Sequence, residues 1–323
     1  MQRTRPSLAR RQDQSRLGPV PVHPDPVREA LSAMRPSPLR LILRCSTRKR
    51  AMLLCLILAV IVVPPAAASR LRIAVFGQDP PLSFIDYQGQ LAGFDIDFAQ
   101  ALCRQIRFEC ELIPTEWEEL LTGLVQRRVD AVVASISITD ERREQVAFTR
   151  PYYDSPGRFV ARRGRFTEFD PASLAGAQIG VARATTFDAY ATDQLGERNT
   201  LYRYSTRRDA LADLVLGRTD LVFGDHIALH ENFLSTEAGA GFELIGPPVS
   251  DRAWFGDGIG VAVAKGDTAL LALLDEAIAE LNRNGVFELI RRGWFDYDIR
   301  NLSTTLQAQE DAHGAPLIPD PAS

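Results

Sequence analysis

The sequence contains little cysteine and no apolar run long enough to cross a bilayer. Of its four cysteines, only Cys103 and Cys110 lie beyond residue 68, and no C-x-x-C pair indicates redox chemistry. The longest apolar run, 51–63, would rise about 20 Å as a helix, against a hydrocarbon core of about 30 Å. A composition of 46% hydrophobic and 24% charged residues is ordinary for a globular protein. It excludes collagen-like, low-complexity and multi-pass membrane proteins.

The sequence also lacks a basic surface over most of its length. Residues 1–68 hold 12 basic and three acidic side chains, whereas residues 69–323 hold 25 basic and 38 acidic ones. Nucleic-acid binding draws most of its affinity from basic side chains. We therefore expect no nucleic-acid partner.

The common catalytic motifs are missing as well. There is no G-x-S-x-G, Walker A, H-E-x-x-H or Rossmann G-x-G-x-x-G motif. The glycines of 256–260 do not open a helix, so we interpret them as a turn that enters a strand. His226 and His230 share one helix face, but no third ligand is near. We expect two surface histidines there, with no metal and no cofactor.

The N-terminal 68 residues have the pattern of an extension that ends in a secretory signal peptide. The basic residues 48–50 precede the apolar run 51–63, and small residues follow around Ala68. We expect cleavage near Ala68 and a periplasmic protein. A membrane anchor is the alternative, and translation from Met34 would leave a signal peptide of more usual length.

Export favours a disulfide between the two remaining cysteines. Cys103 lies near the end of a helical pattern, and Cys110 begins the next predicted strand. The two can meet across a helix–strand corner, and an even pair in an oxidising compartment favours the bond. Two buried free thiols are the alternative.

Short apolar strands alternate with helices through the body of the chain, which predicts an α/β fold with mostly parallel sheets. About 230 structured residues exceed the usual domain size and predict two lobes. The polar residues 300–323 predict a disordered tail. The predicted strands cover 71–76, 110–113, 131–134, 177–181, 201–204, 221–223 and 258–264. The predicted helices cover 94–107, 116–126, 187–195, 207–216, 227–234, 268–282 and 286–292.

Hydroxyl and charged side chains at strand ends suit an amino-acid zwitterion. Residues 135–142 follow an apolar strand and open a short helix in which Arg142 can hold a carboxylate. Thr185 and Thr186 repeat this arrangement, and Asp225 follows a third strand, where it can meet an ammonium group. Helix caps are the alternative role for these side chains. Open α/β sheets bind ligands at such strand ends.

Six short segments of the chain match the pattern of a known family, and they are residues 93–97, 135–142, 148–153, 255–258, 284–285 and 293–295. Through them the chain resembles, from residue 71 to about 298, the periplasmic solute-binding proteins of family 3, which serve amino-acid ABC transporters. The lysine/arginine/ornithine- and histidine-binding proteins are the most similar branch. The resemblance covers nearly all of the mature chain, and the cysteine pair has that branch's disulfide spacing.

The resemblance implies the role of each site residue. Arg142 would hold the ligand α-carboxylate with the backbone at Ser137 and Thr186. The α-ammonium would be received by Ser135, Thr186 and Asp225. Trp117 would pack on the ligand side chain.

The resemblance also implies the two-lobed type II periplasmic binding protein fold with two hinge crossovers. Lobe one would span 70–156 plus 252–299, and lobe two 157–251. An L-amino acid would bridge the lobes of a monomer, and an inner-membrane ABC permease would recognise the closed form.

The sequence departs from the branch after the first strand. The basic-amino-acid binders have an acidic residue where Phe76 stands and an aromatic residue where Asp79 stands. Ala134, Ala182 and Phe187 replace more polar residues. A neutral or aromatic amino acid is therefore a second ligand class besides polar and basic ones.

Two other functions remain open. Periplasmic cyclohexadienyl dehydratases resemble this family but need a glutamate as general acid. Ala228 stands in the stretch where that glutamate is expected, and Glu231 lies beyond it. A ligand sensor of this type usually carries a membrane helix and a signalling domain downstream. The sequence to Ser323 holds neither, so only sensing through a partner remains.

Overall fold

A computed structural model describes residues 70–166, 169–170 and 173–313. The predicted signal peptide and the cleavage near Ala68 lie outside the described residues. No helix in the described part of the chain is long and apolar enough to cross a membrane. The strands are β1 Arg70–Val75, β2 Gln78–Asp79, β3 Ser83–Ile85, β4 Leu91–Ala92, β5 Glu109–Pro114, β6 Ala131–Val132, β7 Val146–Phe148, β8 Gly157–Arg162, β9 Gln178–Ala182, β10 Thr200–Tyr204, β11 Leu221–Asp225, β12 Phe242–Val249 and β13 Ala262–Ala264.

Ten α-helices accompany the strands in these described ranges. The helices are α1 Phe94–Ile106, α2 Leu120–Val125, α3 Asp140–Gln145, α4 Thr186–Leu195, α5 Arg207–Val215, α6 His226–Leu229, α7 Arg252–Phe255, α8 Thr268–Arg283, α9 Val286–Trp294 and α10 Leu302–His313. Short turns of 3₁₀ and π-helix at Trp117–Glu119 and His230–Leu234 extend α2 and α6.

The first sheet has the strand order β5-β1-β6-β13-β7. Strand β1 is parallel to both neighbours, with Ile73 opposite Leu112 on one side and Ala131 on the other. Strand β13 is antiparallel to β6 and β7. Four strands therefore run one way, and their carboxyl ends meet at one edge of the sheet.

The second sheet has the order β10-β9-β11-β8-β12 and repeats this arrangement. Strand β9 is parallel to β10 and β11, and β8 is the reversed strand. The predicted α/β class and mostly parallel sheets are confirmed. A small antiparallel sheet, β2-β3-β4, was not predicted, because its strands have only two or three residues.

Each large sheet is covered with apolar side chains on both faces. In β1, Ile73 and Val75 belong to the cluster under α1 and α8, whereas Ala74 belongs to the cluster on the opposite face. This alternation is the period of a strand that is buried on both sides. Helix α1 begins after Gly93, where a Cβ would lie 2.3 Å from the carbonyl oxygen of Leu82.

Most predicted elements are confirmed, and two predictions need correction. Of the strand predicted over 258–264, only Ala262–Ala264 pairs as a strand. The tail predicted to be disordered contains α10, in which Leu302 is buried and Leu306 packs against the core cluster of the first sheet. These two leucines form a single i, i+4 pair among polar residues, too short a period to recognise. Residues 314–323 lie outside the described residues.

The predicted disulfide is present. Cys103 in α1 is bonded to Cys110 in β5, with 6.1 Å between their Cα atoms. The bond therefore ties the end of α1 to the edge strand of the first sheet.

Candidate functional site

A cleft between the two large sheets collects side chains from the carboxyl ends of their parallel strands. It holds about 660 Å³ of empty space, part of which is open solvent. The structure brings all nine predicted ligand residues together in its lining: Phe76, Asp79, Trp117, Ser135, Ser137, Arg142, Thr185, Thr186 and Asp225.

Arg142 presents a guanidinium group to the cleft from the short helix α3. Thr139 caps that helix by accepting from the Arg142 backbone N–H at 3.3 Å. The Arg142 Nη1 donates to the carbonyl oxygen of Ser137 at 3.1 Å. Burial lowers the pKa of Arg142 to about 10, so the group keeps its charge at neutral pH. Among the described residues, no carboxylate lies within 4 Å of it.

One aromatic ring lies against this guanidinium, and a second ring packs on the first. Trp117 lies with its ring centroid 5.8 Å from the Arg142 Cζ and 5.6 Å from the ring of Phe76, in an edge-to-face arrangement. The Trp117 Nε1 donates to the carbonyl oxygen of Ala184 at 2.9 Å. That bond joins the first-sheet wall of the cleft to the second-sheet wall.

Asp225 caps a helix and also lines the cleft. It ends β11, and its Oδ1 accepts from the Ala228 backbone N–H at 2.9 Å, which caps α6. The side chain is buried but still lines the cleft. No described donor bonds the Oδ2 atom, so the carboxylate can accept from a cation in the cleft.

Ser135 is oriented by a carboxylate behind it. The Ser135 Oγ donates to Asp95 at 2.8 Å, and Asp95 accepts from the Tyr152 hydroxyl at the same distance. The proton of Ser135 is thus in use, and its lone pairs remain available to a donor in the cleft. Desolvation raises the pKa of the fully buried Asp95 to about 7.

Thr185 and Thr186 differ in their environment. The Thr185 hydroxyl caps α4 by accepting from the Asp188 backbone N–H at 3.2 Å, and it donates to the carbonyl oxygen of Ala182 at 2.7 Å. The Thr186 hydroxyl makes no hydrogen bond with any described residue. Of the two side chains, only that of Thr186 is free for a ligand.

Asp79 faces the cleft and is paired there with a residue that sequence reasoning missed. Its Oδ1 accepts from the Arg207 Nη1, and Arg207 is the first residue of α5. The signal that could have found Arg207 is the strand–hydroxyl–helix order of Tyr204, Thr206 and Arg207, which repeats the order at Thr185. A second pair, Glu118 with Arg183, crosses the cleft at its exposed rim.

Of the three apolar residues that replace more polar ones, two line the cleft and one does not. Ala182 and Phe187 line the cleft, and Phe187 also packs 5.5 Å from the ring of Phe223. Ala134 does not line it and lies in the apolar cluster with Ala74 and Leu120. Further lining residues that were not predicted are Gln78, Ser155, Arg183, Ser205, Thr206 and Ile259.

The histidine pair is not a surface pair as predicted. His226 is buried because it directly follows β11, and burial lowers its pKa to about 3. His230 is exposed, as expected, and lies 3.0 Å from Glu231. The described residues contain no group of three or more His, Cys, Asp or Glu side chains that could hold a metal ion.

The chain is similar to proteins of one bacterial family. The profile of the bacterial extracellular solute-binding proteins, family 3, matches residues 71–297. An L-arginine-binding protein of Pseudomonas aeruginosa is 39% identical over 78% of this chain and 98% of its own. The lysine/arginine/ornithine-binding periplasmic protein of Escherichia coli is 31% identical over 68% of this chain and 85% of its own.

Solved structures show the same fold. A Salmonella typhimurium periplasmic binding protein with high arginine specificity has a TM-score of 0.65 and 29% identity, covering 71% of this chain and 100% of its own. An ancestral arginine-binding protein bound to glutamine has a TM-score of 0.64 and 27% identity, covering 71% and 99%.

Proposed function

The chain belongs to the bacterial extracellular solute-binding proteins, family 3, and we propose that it binds a polar or basic L-amino acid and delivers it to an ABC transporter. The relatives named above bind amino acids. The observation that carries the proposal is the placement in one cleft of two charges that have no counter-ion in the described part of the chain. The Arg142 guanidinium follows the first sheet, and the Asp225 carboxylate ends a strand of the second.

The Arg142 guanidinium holds the α-carboxylate of the ligand. Charge-assisted hydrogen bonds of this kind contribute about 1.5–3 kcal/mol each. The neighbouring backbone at Ser137 and the start of α4 at Thr186 add polar groups on either side. Because Trp117 lies over the Arg142 guanidinium and Phe76 packs on Trp117, the pair forms in partly desolvated surroundings.

Asp225, Ser135 and Thr186 receive the α-ammonium group. Asp225 supplies the charge, and Ser135 supplies lone pairs because its proton is donated to Asp95. The helix cap on Asp225 fixes the direction of its carboxylate before ligand arrives. Thr185 holds the start of α4 in place and does not use its hydroxyl for the ligand.

The two sheets belong to two lobes that close on the ligand. Their boundaries are those expected from the resemblance, 70–156 plus 252–299 and 157–251. Arg142 is on one lobe, and Thr186 and Asp225 are on the other, so the ligand binds the closed form more tightly than the open form. The monomer in its closed form then docks on the permease.

The protein acts in the periplasm after removal of the N-terminal 68 residues near Ala68. The named relatives from Escherichia coli and Salmonella typhimurium are periplasmic, and the disulfide between Cys103 and Cys110 suits an oxidising compartment.

Binding without catalysis is the activity we propose. The dehydratase alternative needs a protonated carboxyl group at the reacting atoms. Ala228 is fully buried at the expected position, and Glu231 is paired with His230 away from the cleft lining. Incubation with prephenate and arogenate should therefore give no product.

Titration calorimetry with L-amino acids tests the proposal, with Arg142→Ala as the variant and Arg143→Ala as its control. Both arginines are in α3, but Arg143 pairs with Asp257 outside the cleft. Arg142→Ala should weaken binding about 100-fold, since the ligand carboxylate is left unpaired. An α-decarboxylated amine that binds as tightly as its amino acid would contradict the assignment.

A further inference from the structure

With Arg142 and Asp225 assigned to the two charges of the ligand backbone, a largely buried ion pair in the same lining is left to meet the ligand side chain. Asp79 on β2 of the small sheet and Arg207 on α5 form this pair, and both line the cleft. Their side chains are only 16% and 15% exposed. Arg183, another cationic residue in the lining, is half exposed and paired with Glu118 at the rim.

The Arg207 side chain lies against the backbone of Gly224 in β11. A Cβ on Gly224 would lie 3.1 Å from the Arg207 Nε and 3.4 Å from its Cδ. The bare backbone of β11 therefore makes room for this side chain. Arg207 is a fixed part of the wall, held from one side by Gly224 and from the other by Asp79.

The charges that line the interior of the cleft balance in pairs once an amino acid is bound. Arg142 and Asp225 neutralise the α-carboxylate and α-ammonium, and Asp79 and Arg207 neutralise each other. Asp95 lies behind the wall with its carboxylate bonded to Ser135 and Tyr152. A cationic side chain would thus meet Arg207 without a free carboxylate, and an anionic one would meet Asp79.

We propose that Asp79 and Arg207 select a ligand with an uncharged side chain that ends in both a donor and an acceptor. A carboxamide or a ureido group has this chemistry, as in glutamine, asparagine or citrulline. Its carbonyl oxygen accepts from the Arg207 guanidinium, and its N–H group donates to the Asp79 carboxylate. The inference rests on the amino-acid-binding function proposed above and names the ligand class for it.

Two pairs of ligands with matched shape test the proposal. Citrulline and arginine differ mainly in charge, as do glutamine and glutamate, and each is titrated into the purified protein by calorimetry. In the pair that binds, the neutral amino acid should bind at least about tenfold more tightly than the charged one, because the charged one leaves an unpaired charge in the cleft. Arg207→Gln should shift the preference toward arginine, and Asp79→Asn toward glutamate.

Arg208→Gln is the matched control, since Arg208 is the next residue of α5 and is exposed. It removes the same charge from the same helix and should leave the preference unchanged. Arginine or glutamate binding as tightly as its neutral partner would overturn the proposal while leaving the binding function intact. Binding confined to aliphatic or aromatic amino acids would overturn it too. If no amino acid binds, the proposed function itself fails.

Discussion

The cleft holds the same kinds of charged group in two opposite arrangements, which we call its unpaired end and its paired end. At the unpaired end Arg142 and Asp225 have no counter-ion among the described residues, whereas at the paired end Asp79 and Arg207 neutralise each other. Every α-amino acid carries the same two charges on its backbone, so unpaired groups suit that constant part. The side chain is what varies between ligands, and a neutral pair discriminates by hydrogen bonding. One cleft with both arrangements can therefore bind amino acids tightly as a class and still select among their side chains.

The largest effect should come from removing one unpaired charge. Asp225→Asn should weaken amino-acid binding about 100-fold, because the ligand ammonium is desolvated without a carboxylate. Asn caps helices as well as Asp, so the melting temperature without ligand should change little. Asp251→Asn is the control, since Asp251 caps α7 on the exposed surface. Equal loss in both variants would assign Asp225 to capping alone.

The paired end should show coupling between its two members. Arg207→Gln and Asp79→Asn each leave one charge without its partner, and the double variant removes both. We expect a coupling free energy of unfolding of about 2 kcal/mol from the double-mutant cycle in denaturant, because breaking a buried pair costs more than deleting it. Additive effects would mean that the two groups are independently solvated and that the ends do not differ.

The carboxyl group of Asp95, which accepts the hydrogen bond of Ser135, should make the free energy of unfolding depend on pH. Its pKa is raised to about 7 by desolvation, so the folded state binds the proton more tightly than the unfolded state. Its contribution to stability is then present at low pH and lost as pH rises from about 4 to about 7. The stability of wild type relative to Asp95→Asn should therefore fall as pH rises over that range in urea titrations. The two proteins are compared because His226, whose pKa is lowered to about 3, changes stability with pH in the opposite direction in both of them. A flat difference curve would show that Asp95 titrates normally.

The smallest effect is expected at the rim. Glu118 pairs with Arg183 across the cleft, but both side chains are 48% exposed. Exposed ion pairs contribute less than about 1 kcal/mol, so Glu118→Gln should weaken ligand binding less than about fivefold. Glu119→Gln breaks the neighbouring pair with Arg128, which does not cross the cleft, and should change nothing. A large loss at Glu118 in calorimetry would mean that the rim, and not the interior, holds the lobes together.

The sequence by itself determined the α/β class, most strands and helices, the disulfide and the set of residues that meet in the cleft. The fold elements depend on local patterns: apolar period and cysteine spacing across one corner. Hydroxyl and charged groups after strands predicted Arg142, Thr186 and Asp225 as ligand residues, because open α/β sheets bind ligands at strand ends. Phe76, Asp79 and Trp117 joined the set only through the resemblance to the family.

Only the tertiary structure decided which of these groups are free and which are satisfied. In the sequence Arg207 is the first residue of an ordinary helix, and its burial depends on Gly224 and Asp79, which come from other parts of the chain. The same holds for Asp95, whose pKa is set by burial, and for α10, which is anchored by Leu302 and by the pair of Glu310 with Arg158. Desolvation and charge pairing depend on distances between segments, and a linear pattern does not contain those distances.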